Sequence, residues 1–223
     1  MGIISIEQVD RLYWLGRYSE RVYTTLKLFA RRYDIMIDQD LGSYEEFCRN
    51  LDIPNIYRSP EDFKERYAFS PEDVNSIYSN LLRAYDNAIE LREMIGSDAL
   101  SYIQLAIYAM NRAQVSDAPL IELQKVMDNI LAFWGITDDC MYSEYARNTI
   151  KAGKRIERID LYGRLKLSPV EMQREVHRLA GRIGRSALDY DQDVMERLSG
   201  LVTEENLRYD VIVKEVERIL EKQ

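Results

Sequence analysis

Several residue types that build common functional sites are scarce in this chain. Its 223 residues include one histidine, His177, and two cysteines, Cys48 and Cys140, which do not form a CxxC pair. Two cysteines in a chain of this size are typical of reduced thiols in the cytoplasm, where we expect the protein. A di-metal carboxylate bundle would use two Glu-x-x-His motifs, and the residue three before His177 is Arg174. We therefore predict neither a metal nor another cofactor.

Positive charge is also in deficit, and long apolar runs are missing. The formal net charge of -8 argues against a primary nucleic-acid binder, although a local basic patch is compatible with it. No window approaches eighteen uncharged apolar residues, so we predict no membrane span. The N-terminal MGIISIEQVDR has no long apolar region and is not expected to be a signal peptide. A G-x-x-x-x-G-K-[ST] loop is absent, so handling ATP would require another protein.

Glycine and proline are infrequent, and their positions mark helix ends. Three serine-proline pairs each place an N-cap serine before a proline at the first helical position: Ser59-Pro60, Ser70-Pro71 and Ser168-Pro169. Gly96 separates two predicted helices, and Thr203 begins the last one. No stretch alternates like a strand. The sequence predicts an all-α protein, with residues 1–223 forming a single domain, a bundle of about seven to eight helices.

The first predicted helix covers about residues 6–37, because its apolar positions recur every three or four residues. These positions are Leu12, Leu15, Ser19, Val22, Leu26, Phe29, Tyr33 and Met36. The segment SYEEFCRN (43–50) is predicted to form a short helix. The other helices are predicted at about 60–68, 71–95, 98–113, 119–134, 141–167, 169–199 and 204–221.

The most distinctive feature is a motif that occurs twice, as GRYSER (16–21) and GKRIER (153–158). Both copies have the pattern G-[RK]-x-x-E-R, and 137 residues separate them. When the two copies are aligned at this offset of 137 residues, the apolar positions around them fall on the same face of each helix. We therefore predict that the helices at about 6–37 and 141–167 are related by an approximate internal duplication. The candidate site residues are Gly16, Arg17, Glu20, Arg21, Gly153, Lys154, Glu157 and Arg158.

In each copy the glycine lies one helical turn before the glutamate. A helical side chain leans over the preceding turn, so the glutamate lies above a position without a side chain. That space can admit another backbone, a partner side chain or a ligand. In the structural interpretation, each glutamate is a half-buried carboxylate that arginines neutralise and that holds two helices in register. In the functional one, Glu20 and Glu157 converge on a pocket for a cation, an amine or a substrate.

Other chemistry has weaker support. Asp138-Asp139 could contribute to a magnesium or calcium site, but the pair more simply opens the next helix. His177 could pair with Cys48 or Cys140 in nucleophilic catalysis, but nothing in the sequence around either cysteine activates it. We assign no catalytic residue, and Glu20 and Glu157 remain the candidates.

Three segments resemble one known family. LYWLGRYSERVYTTLKL is similar to the opening motif of the bacterial alpha-E proteins. FWGITDDCMYSEYARNTIKAGKRIERIDLYGRL resembles their later glycine, methionine and Gly-Arg-x-x-Glu-Arg pattern, and DNAIELREMI resembles a central segment. Two positions depart from the family pattern. Lys154 replaces an arginine, and Leu100-Ser101 stands where a Trp-Glu pair is expected.

The resemblance implies an all-α protein that accompanies an ATP-grasp peptide-ligase-like protein and a transglutaminase-like peptidase. It implies a non-enzymatic accessory or scaffold in a system that makes or modifies a peptide. An enzyme with Glu20 and Glu157 as acid and base on an amide or amine substrate is the alternative. A homodimeric structural protein without a ligand is a third reading.

Overall fold

The structure, a computed structural model, describes the backbone of residues 4–38 and 43–220 and the side chains of these residues outside 32–43. This described part is helical and contains no strand, which confirms the all-α class. It contains eleven helices, where seven to eight were expected. They are α1 (Ile6–Asp38), α2 (Ser43–Leu51), α3 (Pro60–Phe69), α4 (Ile77–Glu90), α5 (Arg92–Ile95), α6 (Ser97–Val115), α7 (Pro119–Cys140), α8 (Glu144–Arg164), α9 (Pro169–Ile183), α10 (Gln192–Leu201) and α11 (Tyr209–Arg218).

The face of α1 that was predicted to be apolar is the face that is buried in the structure. Leu12, Leu15, Val22 and Leu26 have no exposed surface. Ser19, the polar residue on this face, is also fully buried. The side chains of Tyr33 and Met36, which were predicted to continue the pattern, lie outside the described residues.

The predicted helix starts are correct where the expected serine forms an N-cap hydrogen bond. Ser59 and Ser168 accept hydrogen bonds from the backbone N–H groups three residues ahead, as N-caps do. Ser70 does not begin a helix. It follows the end of α3, and Ser76 caps α4 instead, by accepting from the N–H of Ser79. Gly96 ends α5 and begins α6 at a φ of 86°, which only glycine adopts without strain.

Two further boundaries were wrong. The predicted helix at 169–199 is divided, because α9 ends at Ile183 and α10 begins after its N-cap Asp191. The hydroxyl of Ser186 donates to the carbonyl of Ile183 at this end. The last helix begins at Tyr209, since Thr203 uses its hydroxyl to bond the carbonyl of Gly200 in a turn.

The chain forms two compact units, with one boundary inside α1. The motif unit comprises Met1–Arg17 and Tyr142–Gln223, and the central unit comprises Tyr18–Met141. The core of the motif unit includes Ile156, Leu179 and Leu198, contributed by α8, α9 and α10. In the central unit α6 and α7 pack along each other, and aromatic rings from α1, α2 and α3 form a second cluster. The expectation of a single domain over 1–223 stays a prediction.

Among the described residues, every helix is too short or too polar to cross a lipid bilayer. This agrees with the absence of long apolar runs in the sequence.

Candidate functional site

The two motif glycines lie where α1 and α8 cross in the motif unit. A Cβ added to Gly16 would come within 3.0 Å of the carbonyl oxygen of Ile150, a separation that real Cβ atoms do not show. A Cβ added to Gly153 would meet the carbonyl oxygen of Tyr13 in the same way. Tyr13 lies three residues before Gly16, and Ile150 lies three residues before Gly153. The contact is therefore reciprocal.

This arrangement, the glycine crossing (Tyr13, Gly16, Ile150 and Gly153), accounts for both glycines. A glycine inside a helix costs about 0.5–1 kcal/mol relative to alanine. The cost is offset here because each helix backbone occupies the space that the other helix leaves open. Of the three possible occupants of this space, the structure places a backbone there.

Glu157 lies on α8, one turn beyond the crossing, and it has no exposed surface. The Nε of Arg17 donates to its Oε2 at 2.6 Å. Arg17 also donates from Nη1 to the hydroxyl of Tyr13 at 3.1 Å, and its guanidinium lies 5.2 Å from the ring centroid of Trp14. Burial alone would lower the pKa of Arg17, but the charges of Glu157 and Tyr13 and the hydrogen bond to Glu157 together outweigh burial and raise it. The guanidinium is therefore held in its charged form.

Asp160 adds a second carboxylate close to Glu157. It accepts a hydrogen bond from the Nε of Arg164 at 2.9 Å. Burial raises the pKa of Asp160 above its ordinary value, and the negative charge of Glu157 raises it further. The pKa of Tyr13 is raised as well, mainly by burial and against the opposing effect of Arg17.

The first copy of the motif extends into the central unit, where Glu20 lies. Glu20 also has no exposed surface, and its Oε1 accepts a hydrogen bond from the hydroxyl of Thr24 at 2.7 Å. The carbonyl of Arg21 accepts from the hydroxyl of Thr25. Both motif glutamates were expected to be half-buried, and both are completely buried instead. Neither carboxylate presents a surface to solvent.

The remaining motif residues lie on α8 and are partly exposed. The backbone nitrogen of Lys154 forms part of the surface that faces Gly16. The Nη1 of Arg158 lies 3.6 Å from an oxygen of Glu175 on α9. Arg158 therefore connects the repeated motif to another buried carboxylate, that of Glu175, which the sequence analysis did not identify.

Glu175 has no exposed surface, and four guanidinium groups surround it. We call this group the Glu175 cluster; besides Glu175 it comprises Arg155, Arg158, Arg174 and Arg178. Burial pushes the pKa of Glu175 upward, but the arginines, Arg155 first, outweigh burial and hold that pKa below its ordinary value. A sequence signal existed, because Glu175 falls on the apolar face of α9, three residues after Met172 and four before Leu179.

The structure also locates the residues that were considered for metal binding and for nucleophilic catalysis. Helix α7 continues to Cys140, so Asp138 and Asp139 lie in its last turn and do not open the next helix. The described part of the chain contains no group of three or more His, Cys, Asp or Glu residues that could hold a metal ion. Cys48 and Cys140 are free thiols, as expected. Burial raises the pKa of Cys48 to about 11, which disfavours the reactive thiolate.

The central unit contains a cavity of about 330 Å³. Its apolar lining comes from Phe29, Phe69, Pro119 and Leu123, with charged side chains of α3 beside them. None of the eight motif residues lines this cavity.

Residues 8–201 match the Alpha-E family, described as a predicted alpha-helical domain with a conserved ER motif. This chain belongs to the Alpha-E family. The match covers most of the 223 residues and both copies of the repeated motif, which contain the pairs Glu20-Arg21 and Glu157-Arg158. The Alpha-E chain matches no curated protein and no solved structure. In this Alpha-E chain the glutamate of each pair is buried.

Proposed function

We propose that this Alpha-E chain is a non-enzymatic accessory or scaffold protein of a peptide-synthesising or peptide-modifying system. It acts with an ATP-grasp ligase-like partner. The observation that carries the non-enzymatic part is the complete burial of both motif glutamates. A general acid or base must come within hydrogen-bond distance of the substrate. Carboxylates without exposed surface do not offer that contact.

The Arg17–Glu157 pair supports a structural role for the motif. It joins α1 to α8 beside the glycine crossing, and both charges are compensated within the motif unit. Removing one member of a buried ion pair leaves an uncompensated charge, so the pair opposes any sliding of one helix along the other. A fixed helix pair is what a scaffold needs to present a constant surface to its partner.

We also propose that α1 and α8 derive from an internal duplication. The support is the reciprocity of the glycine crossing. Tyr13 and Ile150 are separated by the same 137 residues as Gly16 and Gly153, so each glycine contacts the counterpart of its own preceding turn. Two helices that carry one motif can pack symmetrically in this way.

The partner follows from the family resemblance and from what the sequence lacks. Alpha-E proteins are expected beside an ATP-grasp peptide-ligase-like protein and a transglutaminase-like peptidase. The chain has no G-x-x-x-x-G-K-[ST] loop, so the proposal assigns ATP chemistry to the ligase-like partner.

Co-purification of the full chain with the ATP-grasp ligase-like protein encoded beside it tests the proposal. The expected result is a stable complex whose product yield falls when the Alpha-E chain is omitted, with no turnover by the chain alone. Glu20→Gln and Glu157→Gln should lower the melting temperature and should lower the yield only through that loss of folded protein. Lost product at unchanged melting temperature and unchanged partner binding would contradict the proposal and favour the acid-base enzyme. A dimer that binds neither partner would favour the purely structural homodimer.

A further inference from the structure

Charge is unevenly distributed along the chain. Residues 144–185 contain eleven lysines and arginines against five aspartates and glutamates, a net charge of +6. The whole chain carries -8, so the remaining residues together carry -14. The positive segment forms α8 and α9, which pack against each other in the motif unit. An acidic protein thus concentrates positive charge on one helix pair.

Three arginines on α9 follow one another at intervals of four residues and therefore share one face of the helix. We call them the arginine stripe: Arg174, Arg178 and Arg182. Its ends are about 12 Å apart along the helix axis, at 1.5 Å per residue. Arg174 and Arg178 are 48% and 45% exposed at their side chains. The stripe is therefore accessible from solvent.

Glu175 holds part of the stripe from beneath. The Nη1 of Arg178 donates to the buried carboxylate at 3.0 Å, and the Nε of Arg174 lies 3.6 Å from the same oxygen. Arg155, from α8, donates to the other oxygen. The buried carboxylate thus restrains the inner side of these guanidinium groups, and their outer side faces solvent.

The charges of this group do not balance. Arg155 and the three arginines of the stripe contribute four positive charges. Among the described residues, the carboxylates that contact them are those of Glu171 and Glu175, which leaves an excess of two positive charges even when Arg158 is left out of the count. Arg182 bonds the neutral side-chain oxygen of Asn148 at 3.3 Å, which compensates no charge.

The pKa of Arg155 reflects this excess of positive charge. Burial lowers the pKa of Arg155, and the charges of Arg158 and Arg178 lower it further, against the opposing charge of Glu175. Its Nε is buried and has no hydrogen-bond partner among the described residues. A buried donor without a partner is costly, and an additional anion would relieve the repulsion between the guanidinium groups.

We propose that the arginine stripe, with Arg155 beneath it, binds a phosphoryl group of a small molecule. A phosphate monoester carries about -1.5 to -2 charges at neutral pH, which matches the excess of two. A single carboxylate would leave part of the excess uncompensated. Planar guanidinium groups also donate paired hydrogen bonds to phosphate oxygens. The stripe is too short, and the protein too acidic overall, for an extended nucleic acid.

Isothermal titration calorimetry on the full chain at low ionic strength tests this site. The probes are inorganic phosphate, phosphoserine and, as a monoanion, acetate. We expect one phosphate or phosphoserine site per chain and much weaker binding of acetate. Arg178→Gln should weaken phosphoserine binding about tenfold or more, because it removes a charge-assisted donor. Tighter binding of phosphoserine than of phosphate would indicate a phosphorylated metabolite, and equal binding would indicate free phosphate.

A matched control separates this site from the general effect of charge. Arg197→Gln removes an equally exposed arginine of the motif unit, which is 47% exposed and paired with Glu215. It should change phosphoserine binding less than twofold. Arg174→Lys keeps the charge, removes the planar donor and should weaken binding in a protein with unchanged circular dichroism. Equal weakening by Arg197→Gln, unchanged affinity in Arg178→Gln and Arg174→Lys, or acetate binding as tight as that of phosphoserine would overturn the proposal.

Discussion

Two glutamates are fully buried in the described part of the motif unit, and their surroundings differ. Glu157 lies next to the glycine crossing and forms an ion pair with Arg17 at 2.6 Å. Glu175 lies between α8 and α9, where four guanidinium groups approach one carboxylate. The first arrangement is a compensated pair within a tight helix contact. In the second, the positive charges of the arginines exceed the negative charge of the carboxylate.

The difference indicates how two acidic residues with the same burial can have different roles. A compensated pair at a backbone contact fixes the geometry of two helices and offers little to a ligand. A carboxylate that gathers more arginines than it neutralises keeps them apart in a fixed arrangement and leaves their outer side for an anion. We therefore assign stability to Glu157 and ligand organisation to Glu175.

The largest effect is expected at the glycine crossing. Gly16→Ala and Gly153→Ala should each destabilise the protein by about 3 kcal/mol or more, because a methyl group would overlap a carbonyl of the facing helix. Urea unfolding measures the change. Gly181→Ala is the control, since nothing lies within 4 Å of its added Cβ. That variant should be about 0.5–1 kcal/mol more stable than the parent, as expected for alanine in place of a helical glycine. Equal stability of all three variants would exclude a tight crossing.

Glu157→Gln should have the next largest effect, a loss of about 3 kcal/mol, because it leaves the partly buried Arg17 without its counter-charge. Phosphate should raise the melting temperature of this variant no more than that of the parent, since the arginine stripe is unchanged and the crossing has no room for an anion. Thermal unfolding with and without phosphate measures both effects. A larger rise in the variant than in the parent would show that the crossing is open to ligands.

Glu175→Gln should destabilise less, by about 2 kcal/mol, because two of its four arginines are nearly half exposed and can turn to solvent. Phosphate should raise the melting temperature of this variant more than that of the parent, because it compensates the guanidinium charges that Glu175 no longer neutralises. The comparison of Glu175→Gln with Glu157→Gln in the same buffers is the control. The assignment of separate roles fails if phosphate stabilises both variants equally.

The pH dependence of stability should separate Glu175 from Asp160. The folded pKa of Glu175 is below the ordinary value of 4.5, so its stabilisation is present above that value and is lost as pH falls through the lowered pKa. The folded pKa of Asp160 is above 3.8, so its contribution is present below that value and is lost as pH rises through the raised pKa. In acid unfolding, Glu175→Gln should flatten the fall in stability below pH 4.5, whereas Asp160→Asn should steepen it. Parallel acid transitions in both variants would contradict these shifts.

The smallest effect is expected at exposed ion pairs. Arg11→Gln removes a pair with Glu7, which is 74% exposed, and should cost less than about 0.5 kcal/mol. Urea unfolding of this variant sets the baseline for the buried pairs. A loss as large as that of Glu157→Gln would show that burial does not separate the two classes.

The sequence predicted the elements that depend on local patterns. The phase of α1 followed from its three-and-four spacing. A facing backbone at each motif glycine was one of the three occupants that the sequence left open. A helix boundary was missed where two residues were equally suited to be the N-cap. Ser70 and Ser76 are equally good N-cap residues, and only the packed chain selects Ser76 for α4. The continuation of α7 past Gly135 was missed because glycine lowers helix propensity.

For the candidate site, the sequence located the motif residues but did not determine their burial. Whether a carboxylate is half or fully buried depends on which helix covers it, and that is a tertiary property. Glu175 was missed because the arginines on either side of it in the sequence suggest a solvated helix face. The contributions of Arg155 and Arg158 come from α8 and become visible only when α8 packs against α9.

The central claim is that the motif glutamate Glu157 stabilises the crossing of α1 and α8 through Arg17. A double-mutant cycle with Arg17→Met, Glu157→Gln and the double variant, measured by urea unfolding, tests it most directly. We expect the double variant to be at least about 1 kcal/mol more stable than the sum of the two single losses implies. Additive losses within about 0.3 kcal/mol, or single variants as stable as the parent, would contradict it.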